Sequence, residues 1–308
     1  MPIISGYLKD PTIKLSPPAL LNDPFESKNA IEISDFIYSM YREEYQGAYS
    51  NGKKMTETRA KTIITRAPMR TINSSGIVSL SESNRSLLMW AHYANQHQGL
   101  VLGIEDDFLE EGTDVSVPAR LINTTYPVKV NYDTIRFDPS EFDNKKRHIS
   151  IATRKLAMKM LTTKSDDWLY EKEHRIIMPL ALSDKIKFIG NERTFDFRLR
   201  KAARENKFSI DYKTESVLIT DNTPMTDHLY QYMSSNKSFL FLKRINPKKI
   251  KSIYFGVRAD STEIEGYMDD IYKNPDTLGH IKLYKYRLCN KSFSLLKSEI
   301  NEDDYDLL

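Results

Sequence analysis

Trp168-Leu-Tyr-Glu171-Lys-Glu173-His-Arg175-Ile-Ile-Met-Pro179 is the stretch on which the reading of this chain turns. Its apolar second half is too short for a helix of ordinary length and reads as a buried strand, and the residues from Glu171 to Leu180 are expected to be extended. Side chains alternate along a strand, so Glu171, Glu173 and Arg175 are expected on one face, with neighbours roughly 6–7 Å apart. Two readings stay open. Like charges on one face destabilise each other, and Arg175 relieves that or grips an anionic substrate through its planar fork. Alternatively, both glutamates are solvated and Arg175 is their surface partner, a pair worth under about 1 kcal/mol.

Outward from that strand, hydrophobic periodicity gives a mixed pattern. Short strands are expected at Thr12–Leu15, Ile77–Leu80, Leu100–Ile104, Pro127–Tyr132, Ser216–Thr220, Ile250–Phe255 and His280–Leu288. Helices are expected over 29–49, from Asn84 to about His97 with Gly99 as a left-handed terminator, over Ile149–Leu161, near 225–235 and over 261–273. This mixture is an α+β chain with mixed, largely antiparallel sheets and flanking helices. We expect a single domain over 1–298, a polar surface excursion near 46–59, and an acidic tail over 299–308.

Composition narrows the class. The chain has 308 residues, 40% of them hydrophobic, which suffices for a core. Its 45 cations against 42 anions leave a net charge of +3, too small for a protein held to nucleic acid by charge alone. The one cysteine, Cys289, excludes an intramolecular disulfide and fits a reducing compartment. No run approaches 18 uninterrupted apolar residues and the start lacks a signal-peptide pattern, so the cytoplasm and no membrane partner are expected.

Two further clusters stand out. In Met89-Trp90-Ala-His92-Tyr93-Ala-Asn-Gln-His97-Gln-Gly99, the histidines five apart sit about 140° from each other on a helix, so no shared metal is expected. His92 and Tyr93 can orient a ribose or present an aromatic face, or serve simply as structural residues. Asn22-Asp23-Pro24-Phe25-Glu26 is a turn, with Asp23 and Glu26 open to a functional reading. Ser79 and Ser81 share a strand face, with Arg66 and Arg70 upstream, a combination able to hold a nucleotide.

These blocks together resemble a large bacterial family known chiefly as a domain of unknown function. Its pattern joins an Asn-Asp-Pro-Phe-Glu loop, a Trp-x-His-Tyr-Ala helix ending in Gly, and Trp-x-Tyr-Glu-x-Glu-x-Arg, matched here at Asn22–Glu26, Trp90–Gly99 and Trp168–Arg175. The Glu-x-Glu strand also resembles ADP-ribosyltransferases, with the Ile-Ile-Met-Pro run displaced by two residues. That resemblance implies an ADP-ribosyltransferase-like fold and an NAD-consuming transferase, acting as a bacterial toxin or phage-defence effector on a protein or nucleic-acid acceptor, with an antitoxin or defence-system partner. It also implies roles: Glu173 for the nicotinamide ribose and the oxocarbenium-like state, Glu171 for the acceptor, Arg175 beside them, and His92, Tyr93, Ser81, Ser79 and Arg70 around NAD. A non-catalytic nucleotide- or partner-binding module and a metal-dependent nuclease are the competing readings.

Overall fold

The computed structural model describes residues 6–26, 28, 31–45, 48–50, 53–109, 116–142, 147–220 and 228–300. Its centre is a three-stranded antiparallel sheet in which Glu173–Pro179 lies between Ser75–Ser81 and the two-residue strand Val128–Lys129. The register sets Ser81 opposite Glu173, Ser79 opposite Arg175 and Ile77 opposite Ile177.

Alternation along these strands explains why both faces are buried. Val78, Ile176 and Met178 point into one core, and Ile77 and Ile177 point into another. The second core is closed by helices Ile31–Tyr45, Glu57–Asn73 and Ile149–Leu161. The first helix meets it through Ile33, Ile37 and Tyr41, spaced four apart, and the third through Ala152, Leu156 and Leu161.

The first core lies against two larger sheets. A five-stranded antiparallel sheet runs in the order Thr12–Leu15, Phe239–Arg244, Lys185–Phe188, Ser216–Ile219 and Phe208–Asp211. A four-stranded sheet runs Leu295–Glu299, Lys282–Leu288, Ile250–Phe255 and Leu100–Ile104, with a single parallel pairing between its two middle strands. The fold is α+β with mostly antiparallel sheets. Among the described residues, no helix is long and apolar enough to cross a membrane.

The differences from the expected elements have local causes. The run Pro127–Tyr132 is not one strand: Val128–Lys129 pairs with the central strand, then Asn131–Tyr132 pairs parallel to Thr163–Lys164, the chain changing partners at Val130. Helix Leu87–Tyr93 is shorter than expected, starting at the Ser86 cap. Its left-handed terminators are Asn95, Gln96 and His97 (φ 48°, 54° and 70°), not Gly99. The 46–59 excursion contains the paired segments Tyr49–Ser50 and Lys53–Lys54 and the start of helix Glu57–Asn73, which tolerates the buried Pro68 in its interior; residues 46, 47, 51 and 52 lie outside the described residues. Of the 299–308 tail, Glu299 ends a strand, and 301–308 lie outside the described residues.

Candidate functional site

Glu171 does not sit on the central strand. It ends a 3-10 turn over Asp166–Glu171, and Lys172 follows in the left-handed conformation at φ 47°, so the strand starts at Glu173. The kink turns Glu171 out of the alternation, yet the two carboxylates still converge, because one ammonium holds both. Lys164, at the end of the strand after helix Ile149–Leu161, donates to Glu171 Oε2 at 2.6 Å and to Glu173 Oε2 at 3.3 Å. It also lies 3.6 Å from Glu26 Oε1.

Arg175 closes the other side. Its Nε and Nη2 donate to the two oxygens of Glu173, each at 2.8 Å, Nη1 donates to the Leu161 carbonyl at 2.6 Å, and Nη2 also bonds Glu26 Oε1. Glu26, Glu171 and Glu173 are each 4% exposed and Arg175 is 0% exposed. These are therefore not solvated strand residues with a surface ion pair, and Arg175 has no face left with which to grip a substrate anion. Buried charges persist only when partnered in this way, and removing one partner is far more costly than losing a surface bridge.

The burial shows in the titration of the group. Burial opposes ionisation of Glu173 more than any single neighbour favours it, but Arg175, Lys164 and Ser79 together hold its carboxyl below the usual range. For Glu26 burial prevails over Arg175 and Lys164, and its carboxyl is raised. Lys164 is raised despite burial, by Glu173, Glu171 and Glu26. Two carboxyls sharing the same cations are thus pushed in opposite directions.

Tyr93 connects this network to open space. Its phenol donates to Glu171 Oε1 at 2.5 Å and accepts from the Asn22 side-chain amide at 3.1 Å. Burial first, and the Glu171 hydrogen bond second, keep that phenol protonated far above its ordinary range. Tyr93 is 39% exposed. It lines a cleft of about 1480 Å³ between the three main sheets, together with Leu80, Leu102, His174, Lys187 and Tyr254. Strand alternation puts Val78, Leu80 and His174 on the cleft side of the central sheet, and Glu173 and Arg175 on the other. Glu171 reaches the cleft through Tyr93; Glu173 does not.

The remaining candidates divide. Ser81 Oγ donates to the Glu171 carbonyl at 2.7 Å, and Ser79 stands opposite Arg175 and assists Glu173, so both serines join the site. His92 lies exposed at its edge, its ring 6.3 Å from Tyr93 and 6.2 Å from Tyr170. Arg70 does not join. Helix Glu57–Asn73 carries it to a separate surface pocket with Arg120 and His228, because the helix packs against the far core.

Two contributors carried no mark in the sequence, and a third, Glu26, was open to a functional reading as part of the Asn22–Glu26 turn. Lys164 is a single lysine after an amphipathic helix. Tyr132 accepts the Glu173 amide hydrogen at 2.8 Å from a strand that reads as ordinary. Glu26 belongs to a motif whose turn chemistry is real, since the Phe25 amide bonds Asp23 Oδ1 at 2.8 Å, and this masks its second role. Among the described residues no group of three His, Cys, Asp or Glu side chains is arranged to hold a metal. The convergent carboxylates are neutralised by an ammonium and a guanidinium instead.

Residues 89–176 match DUF2971, a protein family of unknown function. The matched span contains the Trp90–Gly99 and Trp168–Arg175 blocks, and hence Tyr93, Lys164, Glu171, Glu173 and Arg175; Asn22–Glu26 lies outside it. No curated protein and no solved structure matches the chain.

Proposed function

We propose that the chain is an NAD-consuming ADP-ribosyltransferase, a toxin or defence effector acting on a protein or nucleic-acid acceptor, in which Glu171 is the carboxylate presented to substrate. The observation that carries this reading is the Tyr93–Glu171 hydrogen bond at the wall of the large cleft. A dinucleotide needs a cleft of several hundred Å³, which this one exceeds. Displacement of the Tyr93 phenol by a ribose hydroxyl gives that hydroxyl a carboxyl group already fixed by Lys164, a preorganised acceptor beside the positive charge that develops as nicotinamide leaves. Glu173 and Arg175 are then positioning residues that hold Lys164 and the strand, in place of the direct role the resemblance implies for them.

Incubation with NAD labelled in its adenylate moiety, in the presence of bacterial extract, tests the proposal. Wild type is expected to transfer label and release nicotinamide, and Glu171→Gln to lower both by about 10²–10⁴-fold. Equal nicotinamide release from the two proteins, with no labelled acceptor, overturns it. Growth arrest on expression, relieved by Glu171→Gln, is expected of an effector.

The closure of Glu171 by Lys164 and Tyr93 favours one second reading, a nucleotide- or partner-binding module without turnover. It is distinguished by saturable nucleotide binding with no product in the same assay.

A further inference from the structure

On the side of the ion network away from the large cleft, the Asn22–Glu26 turn covers a second cavity of about 280 Å³. Asp23, Glu26, Asp133, Thr163 and Lys164 contribute its polar lining, and Phe25, Ile33 and Met160 its apolar lining. Two polar atoms there have no hydrogen-bond partner although fully buried, Glu26 Oε2 and Thr163 Oγ1. Buried polar atoms are almost always satisfied, and an orphan on a cavity wall marks the place of a missing partner. The Glu26 side chain is 2% exposed, and with Oε1 turned to Arg175 and Lys164, Oε2 is its unpartnered oxygen.

The charges decide what that partner is. Three carboxyl groups line the cavity against two cations, and both cations already hold partners. Lys164 donates to Glu171 and Glu173. Arg136 donates to the Phe25 and Lys28 carbonyls and lies 5.4 Å over the Phe25 ring, fixing the loop. An anion entering here meets the carboxyl groups of Asp23, Glu26 and Asp133. A cation meets an unpartnered acceptor on Glu26, the lone pairs of Thr163, and the acidic side chains of Asp23 and Asp133. The volume is that of several waters, each occupying about 30 Å³ of liquid. Together with the Ile33, Met160 and Phe25 walls, it calls for an apolar body behind the charge.

We propose that this cavity binds a small free amine, its ammonium held by Glu26 Oε2 and Thr163 Oγ1 and its apolar body packed against Ile33, Met160 and the Phe25 ring. The site is independent of the NAD reading. It adjoins the same network through Lys164, whose ammonium lies 4.7 Å over the Trp168 ring, so occupancy has a fluorescent reporter at hand.

Titration calorimetry on the full chain with phenethylamine, and with 2-phenylethanol as the neutral compound of the same shape, tests the proposal. Charge-assisted hydrogen bonds are roughly twice as strong as neutral ones. The amine is expected to bind saturably at one site and the alcohol at least about tenfold more weakly. Thr163→Val and Asp133→Asn, neither of which removes a member of the ion network, are each expected to weaken the amine severalfold, and Glu26→Gln more strongly where it folds. No saturable binding of the amine, equal binding of amine and alcohol, or full affinity in both Thr163→Val and Asp133→Asn overturns the inference. None of these readouts depends on NAD turnover, so failure here leaves the transferase reading standing, and the reverse also holds.

Discussion

Replacing Lys164 by methionine keeps the length of the aliphatic stem and removes the ammonium, its charge and its hydrogen bonds together. In the native protein that ammonium touches Glu171 at 2.6 Å, Glu173 at 3.3 Å and Glu26 at 3.6 Å, with its side chain 5% exposed. Without it, three buried carboxyls face Arg175 alone. Breaking a buried ion pair from one side costs about 3–5 kcal/mol. At roughly 2 °C per kcal/mol for a chain of this size, the melting temperature falls by about 6–10 °C near pH 7. The deficit carries a pH signature. In wild type, the lowered Glu173 carboxyl contributes stability that is present above the unfolded carboxylate pKa and is lost as pH falls through the folded value. The raised Lys164 contributes stability fully present below the unfolded lysine pKa and lost only as pH rises through its folded value. Near neutrality both contributions are intact. In Lys164→Met a carboxyl retains its proton in the folded state and releases it on unfolding, so the variant loses stability relative to wild type as pH rises from about 4, by at most about 1.4 kcal/mol per pH unit per proton. Urea unfolding followed by the fluorescence of Trp168, which the ammonium overlies, measures both features. Adding Glu171→Gln to the variant is expected to restore part of the loss. A deficit under about 1 kcal/mol, or one that is flat from pH 4 to 7, refutes the account of the network as charge compensation.

Other predictions concern regions away from the network. The turn after helix Leu87–Tyr93 holds three successive non-glycine residues in the left-handed region, and Gln96 among them is exposed; Gln96→Gly is expected to stabilise by about 1 kcal/mol in denaturant titration. Against the same turn, a Cβ on Gly256 meets the His97 carbonyl oxygen at 2.1 Å. Since that atom is backbone and cannot swing aside, Gly256→Ala is expected to destabilise by about 1–3 kcal/mol, and an unchanged midpoint refutes the packing. Cys289 accepts hydrogen bonds from the Ser292 hydroxyl and the Lys291 amide, both at 3.4 Å, and the Ser292 hydroxyl first among them pushes its thiol down to about 7. Alkylation by iodoacetamide is expected to titrate near that pH in wild type and higher in Ser292→Ala.

What the sequence made legible follows the range of the forces involved. The Ile176–Met178 run, the Ile33–Ile37–Tyr41 stripe and the strand Ile250–Phe255 are local patterns, and the structure has them where periodicity puts them. Strands such as Lys185–Phe188 and Phe239–Arg244 carry charged residues at their ends and become strands only by pairing with each other and with Thr12–Leu15, so a local reading passes them over. Motif and resemblance name Glu171, Glu173, Ser79, Ser81 and Tyr93 as candidates, but separations in sequence carry neither their convergence nor their states. Strand alternation alone puts Glu171, Glu173 and Arg175 in one row and leaves open whether that row is solvated. Their actual environment depends on Glu26, 149 positions from Arg175, and on Lys164, which meets Glu171 where the chain turns through the left-handed Lys172. Burial then inverts the energetics. A row of surface charges that contributes almost nothing becomes a network in which each carboxyl needs its cation. The two least constrained edges of that network, the Tyr93 phenol toward the cleft and Glu26 Oε2 toward the small cavity, are where a ligand can change its balance without dismantling it.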